Sequence, residues 1–235
     1  MDACMESALH RAVGLSDMAS LCSAAFAFPT PELAAALEDG AFLSDWRASL
    51  LDACGVVSDA DEELAVSCGE AFRADSASYE ALRREYSRMY LTPGGHAPVW
   101  IYEGCFRHRA SGATGVPALF RSPIALSVSQ AMHDAGVAFI DERREPCDSA
   151  FREFDFLAYL HAACAEALRV GDGKALAAHR ERLRAFASGH ALLWMPSFMD
   201  ATRDNASTEP YGAFARLGKR YLEELEAYID SEEVD

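Results

Sequence analysis

The sequence predicts an all-α fold, one domain over residues 1–235 built as a bundle of about nine or ten helices around a long Pro/Gly-rich loop. Three observations carry this. Apolar residues recur at a helical period through nearly every segment outside 92–122. Capping residues stand where those segments begin, and glycines where several of them end. The single stretch that reads as extended, "VWIY" at 99–102, finds no segment to pair with.

Taken in order, residues 5–28 place Met5, Leu9, Val13, Leu21, Cys22, Ala25 and Phe28 on a helix. "TPELAAALEDG" is a short helix with Thr30 as N-cap, Pro31 at the first position and Gly40 beyond the end. "FLSDWRASLLDACG" gives another, stopped near Gly55. "SDADEELAVSCGEAF" opens with capping and acidic residues suited to the positive end of a helix dipole. "SYEALRREYSRMYL" then lines up Tyr79, Leu82, Tyr86, Met89 and Tyr90 along one side.

From Thr92 to Ser122 the helical pattern stops. With Pro123 behind it, the stretch holds four prolines and five glycines, and a loop of that length in a compact domain is usually functional or flexible. Helix resumes at "SPIALSVSQAMHDAG", with Ser122 as N-cap and Pro123 at the first helical position. "VAFIDERREP" leads into "EPCDSAFREFDFLAYL". Beyond it lie "GKALAAHRERLRAFASGH", "HALLWMPSFMDATRD", in which Pro196 must kink or break the helix, and "TEPYGAFARLGKRYLEELEAYID". No internal repeat and no low-complexity linker divides the chain.

With 51% hydrophobic and 25% charged residues, the chain is globular rather than disordered. No run approaches the roughly 20 apolar residues of a membrane helix, and "MDACMESALHRAVG" lacks the basic region of a signal peptide. The expectation is a cytoplasmic protein with no stable membrane insertion. Thirty-seven acids against 21 bases give a formal charge of −16, which repels a phosphate backbone and favours a basic partner over nucleic acid. Seven cysteines without a CxxC pair form neither a disulfide framework nor a zinc ribbon.

Motifs for catalysis are weak. There is no Walker A pattern, and "PGG" at 93–95 and "GDG" at 171–173 read as turns. Glu103, Cys105 and His108 lie together, but a lone C-x2-H pair is not a metal signature. No cofactor is expected. His161 and Cys164 share an apolar stripe and read as core residues. The basic clusters Arg180, Arg182, Arg184 and Arg216, Lys219, Arg220 sit amid acids and read as solvated helix faces.

Residues 145–160 pose the sharper question. Phe151, Phe154, Leu157, Ala158, His161, Cys164 and Leu168 form an apolar stripe that Phe156 and Leu160 widen to more than half the helix. Asp148 suits a helix cap after Pro146, and Asp155 shares its outer face. Glu153 instead projects between Leu157 and Leu160, where a solvated acid does not belong. Paired with Glu145 and Asp148 it could serve general acid–base chemistry in a helical enzyme. A helical scaffold for a folded partner is the other alternative.

Three stretches in this order resemble the TorD/DmsD-like chaperones of redox-enzyme maturation. "YSRMYLTPGGHAPVWIY" is similar to that family's Tyr-x-x-Leu-Phe, Gly-Pro, Pro and Tyr pattern at Tyr86, Tyr90, Pro93, Pro98 and Tyr102, with Met89 and Tyr90 where Leu-Phe is usual. Glu145, Asp148, Glu153, Asp155, Phe156 and Leu157 match its Glu-x-x-Asp-His and Glu-x-Glu-Phe signature, except that Ser149 replaces the histidine. His190, Trp194 and Phe198 match its late His-x-x-x-Trp-x-x-x-Phe segment. The resemblance implies a non-enzymatic chaperone for a molybdopterin-containing oxidoreductase, one that binds its twin-arginine leader or its apo form before cofactor insertion. Paired guanidinium groups and an apolar segment ask for carboxylates among aromatic walls. Tyr90, Pro93, Trp100, Tyr102, Glu145, Pro146, Asp148, Glu153 and Phe156 are the residues expected to supply them, with Glu153 and Asp148 at the edge of a groove.

Overall fold

A computed structural model of the chain describes residues 3–91, 97–115, 117–138 and 145–231. Among them the regular structure is helical, without a strand. The α-helices are α1 (Ala3–Phe26), α2 (Pro31–Glu38), α3 (Ala41–Cys54), α4 (Asp59–Phe72), α5 (Tyr79–Tyr90), α6 (Glu103–Ala110), α7 (Pro123–Asp134), α8 (Ala150–Val170), α9 (Gly173–Phe186), α10 (Leu192–Asn205) and α11 (Glu209–Ser231). A 3-10 turn covers Asp75–Ala77, and a π turn, Ala187–Ala191, joins α9 to α10. The all-α expectation holds, and no single helix among these residues is long and apolar enough to cross a membrane.

Local chemistry accounts for several helix ends. Thr30 Oγ1 accepts from the Leu33 amide at 3.2 Å, and Ser122 Oγ from the Ala125 amide at 2.9 Å. Ser58 and Asp61 close a reciprocal capping box at the start of α4. Gly55 ends α3 with φ at 73°, a left-handed conformation that a side chain would resist. Gly40 stands just past α2, as expected, behind the closing Asp39, and with φ at 83° it also opens α3.

Helices α1 and α8 lie against each other at the centre, with α3 and α11 packed on α1 and α10 on α11. Ser16 Oγ donates to the Ala158 carbonyl at 3.0 Å, a polar pin between the two central helices. Gly14 lets α1 and α3 touch: a Cβ there would stand 2.4 Å from the Ala53 amide nitrogen and the Ser49 carbonyl oxygen. The core is strongly aromatic. Phe198 packs on Trp194 at 5.1 Å, Phe26 at 5.4 Å and Tyr90 at 5.9 Å between ring centroids. Such ring pairs add roughly 0.5–1.5 kcal/mol each beyond their burial.

Three local expectations are corrected. The stretch 92–122 is not loop throughout, because α6 forms within it at Glu103–Ala110, with Arg107, His108 and Arg109 in its last turn. "VWIY" does find a partner, the residues just before α8, through one antiparallel bridge between Tyr102 and Ser149. Pro196 neither breaks nor ends its helix. α10 runs through it, and the irregularity lies upstream in the π turn, where the Leu192 amide reaches back to the Ala187 carbonyl. The turn carries His190 with it.

Candidate functional site

The bridge is the frame of the site. The Ala150 amide donates to the Ile101 carbonyl at 2.9 Å, and the Glu103 amide donates to the Asp148 carbonyl at 2.8 Å. These bonds tie the start of α6 to the start of α8. The Asp148 side chain then caps α6 rather than its own helix, a further correction to the sequence reading: Oδ2 accepts from the Gly104 amide at 3.0 Å. Ser149 occupies the N-cap of α8 without a side-chain bond. Gly104 is required where it stands, since a Cβ would meet Ser122 Oγ at 2.6 Å and Asp148 Oδ2 at 3.0 Å.

This arrangement collects three carboxyl groups in the interior. Glu103 and Glu153 are 0% exposed and Asp148 is 1% exposed. Glu103 is the paired member. Its Oε1 accepts from Arg107 at 2.5 Å, and its Oε2 faces His190 Nδ1 at 2.7 Å. The other ring nitrogen of His190 lies 3.0 Å from Ser127 Oγ, so the π turn is held between α6 and α7. Glu153 Oε2 accepts from the Trp194 indole N–H at 3.0 Å. Its Oε1 makes no hydrogen bond of good geometry among the described residues, nor do Asp148 Oδ1 and Ser149 Oγ.

Burial pushes the Glu153 carboxyl far above the ordinary carboxylate range, and the charges of Glu103 and Asp148 push it further against the Trp194 bond. These surroundings favour the neutral form of Glu153, while the two oxygens of Glu103 already face Arg107 and His190. Asp148 is raised to about 6, by burial first and then by Glu103 and Glu145, against the opposing Gly104 bond. An acid pushed toward its neutral form, a paired acid and one raised to about 6 thus lie together in the interior. No group of three ligating side chains among the described residues is arranged to hold a metal.

The expected site residues fall on different sides of this cluster. Glu153 and Asp148, expected at a groove edge, lie beneath the surface, because both helix starts close over them. Tyr90 is also core, with its hydroxyl 3.1 Å from Thr202 Oγ1. Pro146 is buried, and Pro93 lies outside the described residues. At the surface, Trp100, Tyr102 and Glu145 are half-buried. Burial raises the Glu145 carboxyl, while the Tyr102 hydroxyl that donates to it and the nearby Arg152 charge hold it down. Tyr86 adjoins this pair and carries Phe28 edge-on at 5.3 Å, with Phe28 43% exposed. Phe156 faces elsewhere. It floors a groove of about 610 Å³ between α7, α9 and the π turn, with Ile124, Phe186 and His190 also lining it.

Glu103, which anchors the cluster, was weighed in the sequence only as a metal ligand. Its spacing to Arg107, one helical turn, was the available signal, hidden because the surrounding prolines and glycines read as loop. His190 and Trp194 were visible only as a motif; their partners come from distant helices.

The first, middle and last sequence motifs of this all-helical chain thus meet around one buried acid cluster, with aromatic surface beside it. The family model for the nitrate reductase delta subunit matches residues 55–200, a span that takes in all three motifs, and the chain belongs to that family. It is a TorD/DmsD-like family of redox-enzyme maturation chaperones. No curated protein matches the chain.

Proposed function

We propose that this protein is a cytoplasmic, non-enzymatic chaperone that binds the twin-arginine leader and the apo form of a molybdopterin-containing oxidoreductase, and assists cofactor insertion before export or assembly. One observation carries the leader assignment. Glu145 is a half-buried carboxyl bonded to Tyr102 and flanked by Tyr86 and exposed Phe28, so it sets an acid among aromatic rings at the surface. A guanidinium needs that acid, and an apolar segment needs those rings. Asp148 and Glu153 act beneath, holding the starts of α6 and α8 in place under Glu145.

A labelled peptide bearing paired arginines before an apolar run tests this against the same peptide with paired glutamines. Glu145→Gln is expected to weaken the arginine peptide about ten-fold, as the loss of a charge-assisted bond implies, and to leave the melting temperature unchanged. Burial raises Glu145, and an arriving guanidinium lowers it again, so binding releases a proton. Wild-type affinity is therefore expected to rise with pH through the Glu145 titration, and the Glu145→Gln variant to lose that slope. Equal affinity of variant and wild type would remove Glu145 from the site.

A further inference from the structure

The groove floored by Phe156 does not suit a basic leader. Two guanidinium groups, Arg182 and the Glu103-paired Arg107, stand on its lining beside one carboxylate, Asp134. Asp134 is already engaged, accepting from Gln130 Nε2 at 2.6 Å. Arg182 is exposed and has no ion-pair partner among the described residues. It belongs to α9, where Lys174, Arg180, Arg182 and Arg184 face a single acid, Glu181. In a chain with 37 acids and 21 bases this helix is a local reversal of sign.

The floor is apolar and rigid. Phe156 and Phe186 are each 2% exposed and meet edge to face at 4.7 Å. His190 stacks on Phe186 at 5.3 Å and is pinned from both ring nitrogens, to Glu103 and Ser127. Ile124 supplies the α7 wall. A cationic rim over a fixed aromatic floor selects an occupant with a bulky apolar side chain and a carboxylate beside it.

We propose that this groove is a second docking site, for an acidic-apolar segment of the client's polypeptide, distinct from and opposite in charge to the leader site at Glu145. It rests on the reading of the chain as a handler of polypeptide clients. Arg107 gives the site a link to the interior, because a carboxylate arriving on it competes with Glu103.

Labelled peptides of one apolar sequence, flanked by glutamates, by glutamines or by lysines, test this on the full chain. The glutamate peptide is expected to bind about ten-fold tighter than the lysine peptide, and Arg182→Glu to invert that order. Ala185→Trp, placed at an exposed position on the groove, is expected to weaken the glutamate peptide without changing the melting temperature or the affinity of the paired-arginine leader. Absence of binding by the glutamate peptide, an order indifferent to Arg182→Glu, or an affinity indifferent to Ala185→Trp would each overturn the proposal. If Ala185→Trp weakens the leader instead, the groove belongs to the leader and no second site exists. If Glu145→Gln leaves leader binding intact while the groove variants act as described, the leader assignment fails and this one stands.

Discussion

Buried carboxyl groups in this bundle are held on two opposite terms, one at Glu85 and Asp61 and the other in the cluster around Glu153. Glu85 on α5 is 4% exposed, yet every oxygen is engaged: Arg88 donates to both, and the Ser207 amide and hydroxyl donate one bond each. Burial pushes its carboxyl up, and those bonds outweigh burial and hold it below the ordinary value. Asp61 on α4 behaves alike, with Arg220 at 2.6 Å and Ser58 at its other side. The cluster of Glu103, Asp148 and Glu153 has one paired member and two whose free oxygens meet like charge. Glu85 and Asp61 are staples that join distant segments. A protein that can satisfy buried acids so fully, and leaves two with an unbonded oxygen where three sequence motifs meet, makes that place the candidate site.

Substitutions break or sharpen this contrast. Glu103→Ala carries the largest expected effect. It strips Arg107 and His190 of their acceptor at once, and should cost about 3 kcal/mol, the low end for a broken buried pair because Arg107 reaches solvent. Denaturant unfolding measures it. Glu85→Gln comes next, at about 2 kcal/mol near neutral pH, since it weakens charge-assisted bonds to Arg88. Glu85 is held low when folded, so its contribution is present above the unfolded value near 4.5 and fades as pH falls through the folded one. The Glu85→Gln deficit should fade in step.

Asp148→Asn is expected to change less, and in the other direction with pH. Asparagine still accepts from the Gly104 amide, so the cap on α6 survives. It also removes a charge that Glu103 and Glu145 repel. Asp148 titrates at about 6 in the fold against 3.8 outside it, so wild-type stability falls as pH rises from about 4 to 6. Asp148→Asn should flatten that fall, to within about 1 kcal/mol of neutrality at pH 7. A variant that unfolds as steeply as wild type over this range would place the titration elsewhere.

The helices were legible in the sequence because their signals are local. Thr30, Ser58 and Ser122 cap the helices they precede, and the apolar period of α8 is real, with Phe154, Leu157, His161 and Cys164 all fully buried. α6 was not legible. Its capping acid, Asp148, lies 44 positions away, and its own first turn holds a glycine that only the Ser122 and Asp148 side chains require. The oddity of Glu153 was visible as an acid between Leu157 and Leu160. Its resolution was not, because the indole of Trp194 and the carboxylate of Glu103 come from other helices, on either side of it in the sequence. Spacing along one helix shows which face an acid takes. It does not show whether that face meets solvent or another helix.

Glu153→Gln is the smallest expected change and the one that decides between the two kinds of buried acid. If Glu153 were a staple like Glu85, losing its charge would weaken bonds and lower stability near neutral pH. It sits instead where burial and two neighbouring carboxyl groups favour its neutral form. Glutamine copies that neutral form: its carbonyl still accepts from Trp194, and its amide takes the place of the unbonded Oε1. The sign follows from linkage. Glu153 is raised in the fold, so the native state holds a proton that the unfolded chain releases above about 4.5, and wild-type stability falls as pH rises beyond that point. Glutamine carries no such proton. One of its two amide hydrogens lacks a partner, which offsets part of the gain, so the net advantage should be about 1 kcal/mol at pH 7 and absent at pH 4.5. Thermal unfolding of both proteins across that range measures it. A Glu153→Gln variant less stable than wild type at pH 7 would show that the acid is ionised and paired in the fold, and would move Glu153 from the candidate site to the company of Glu85.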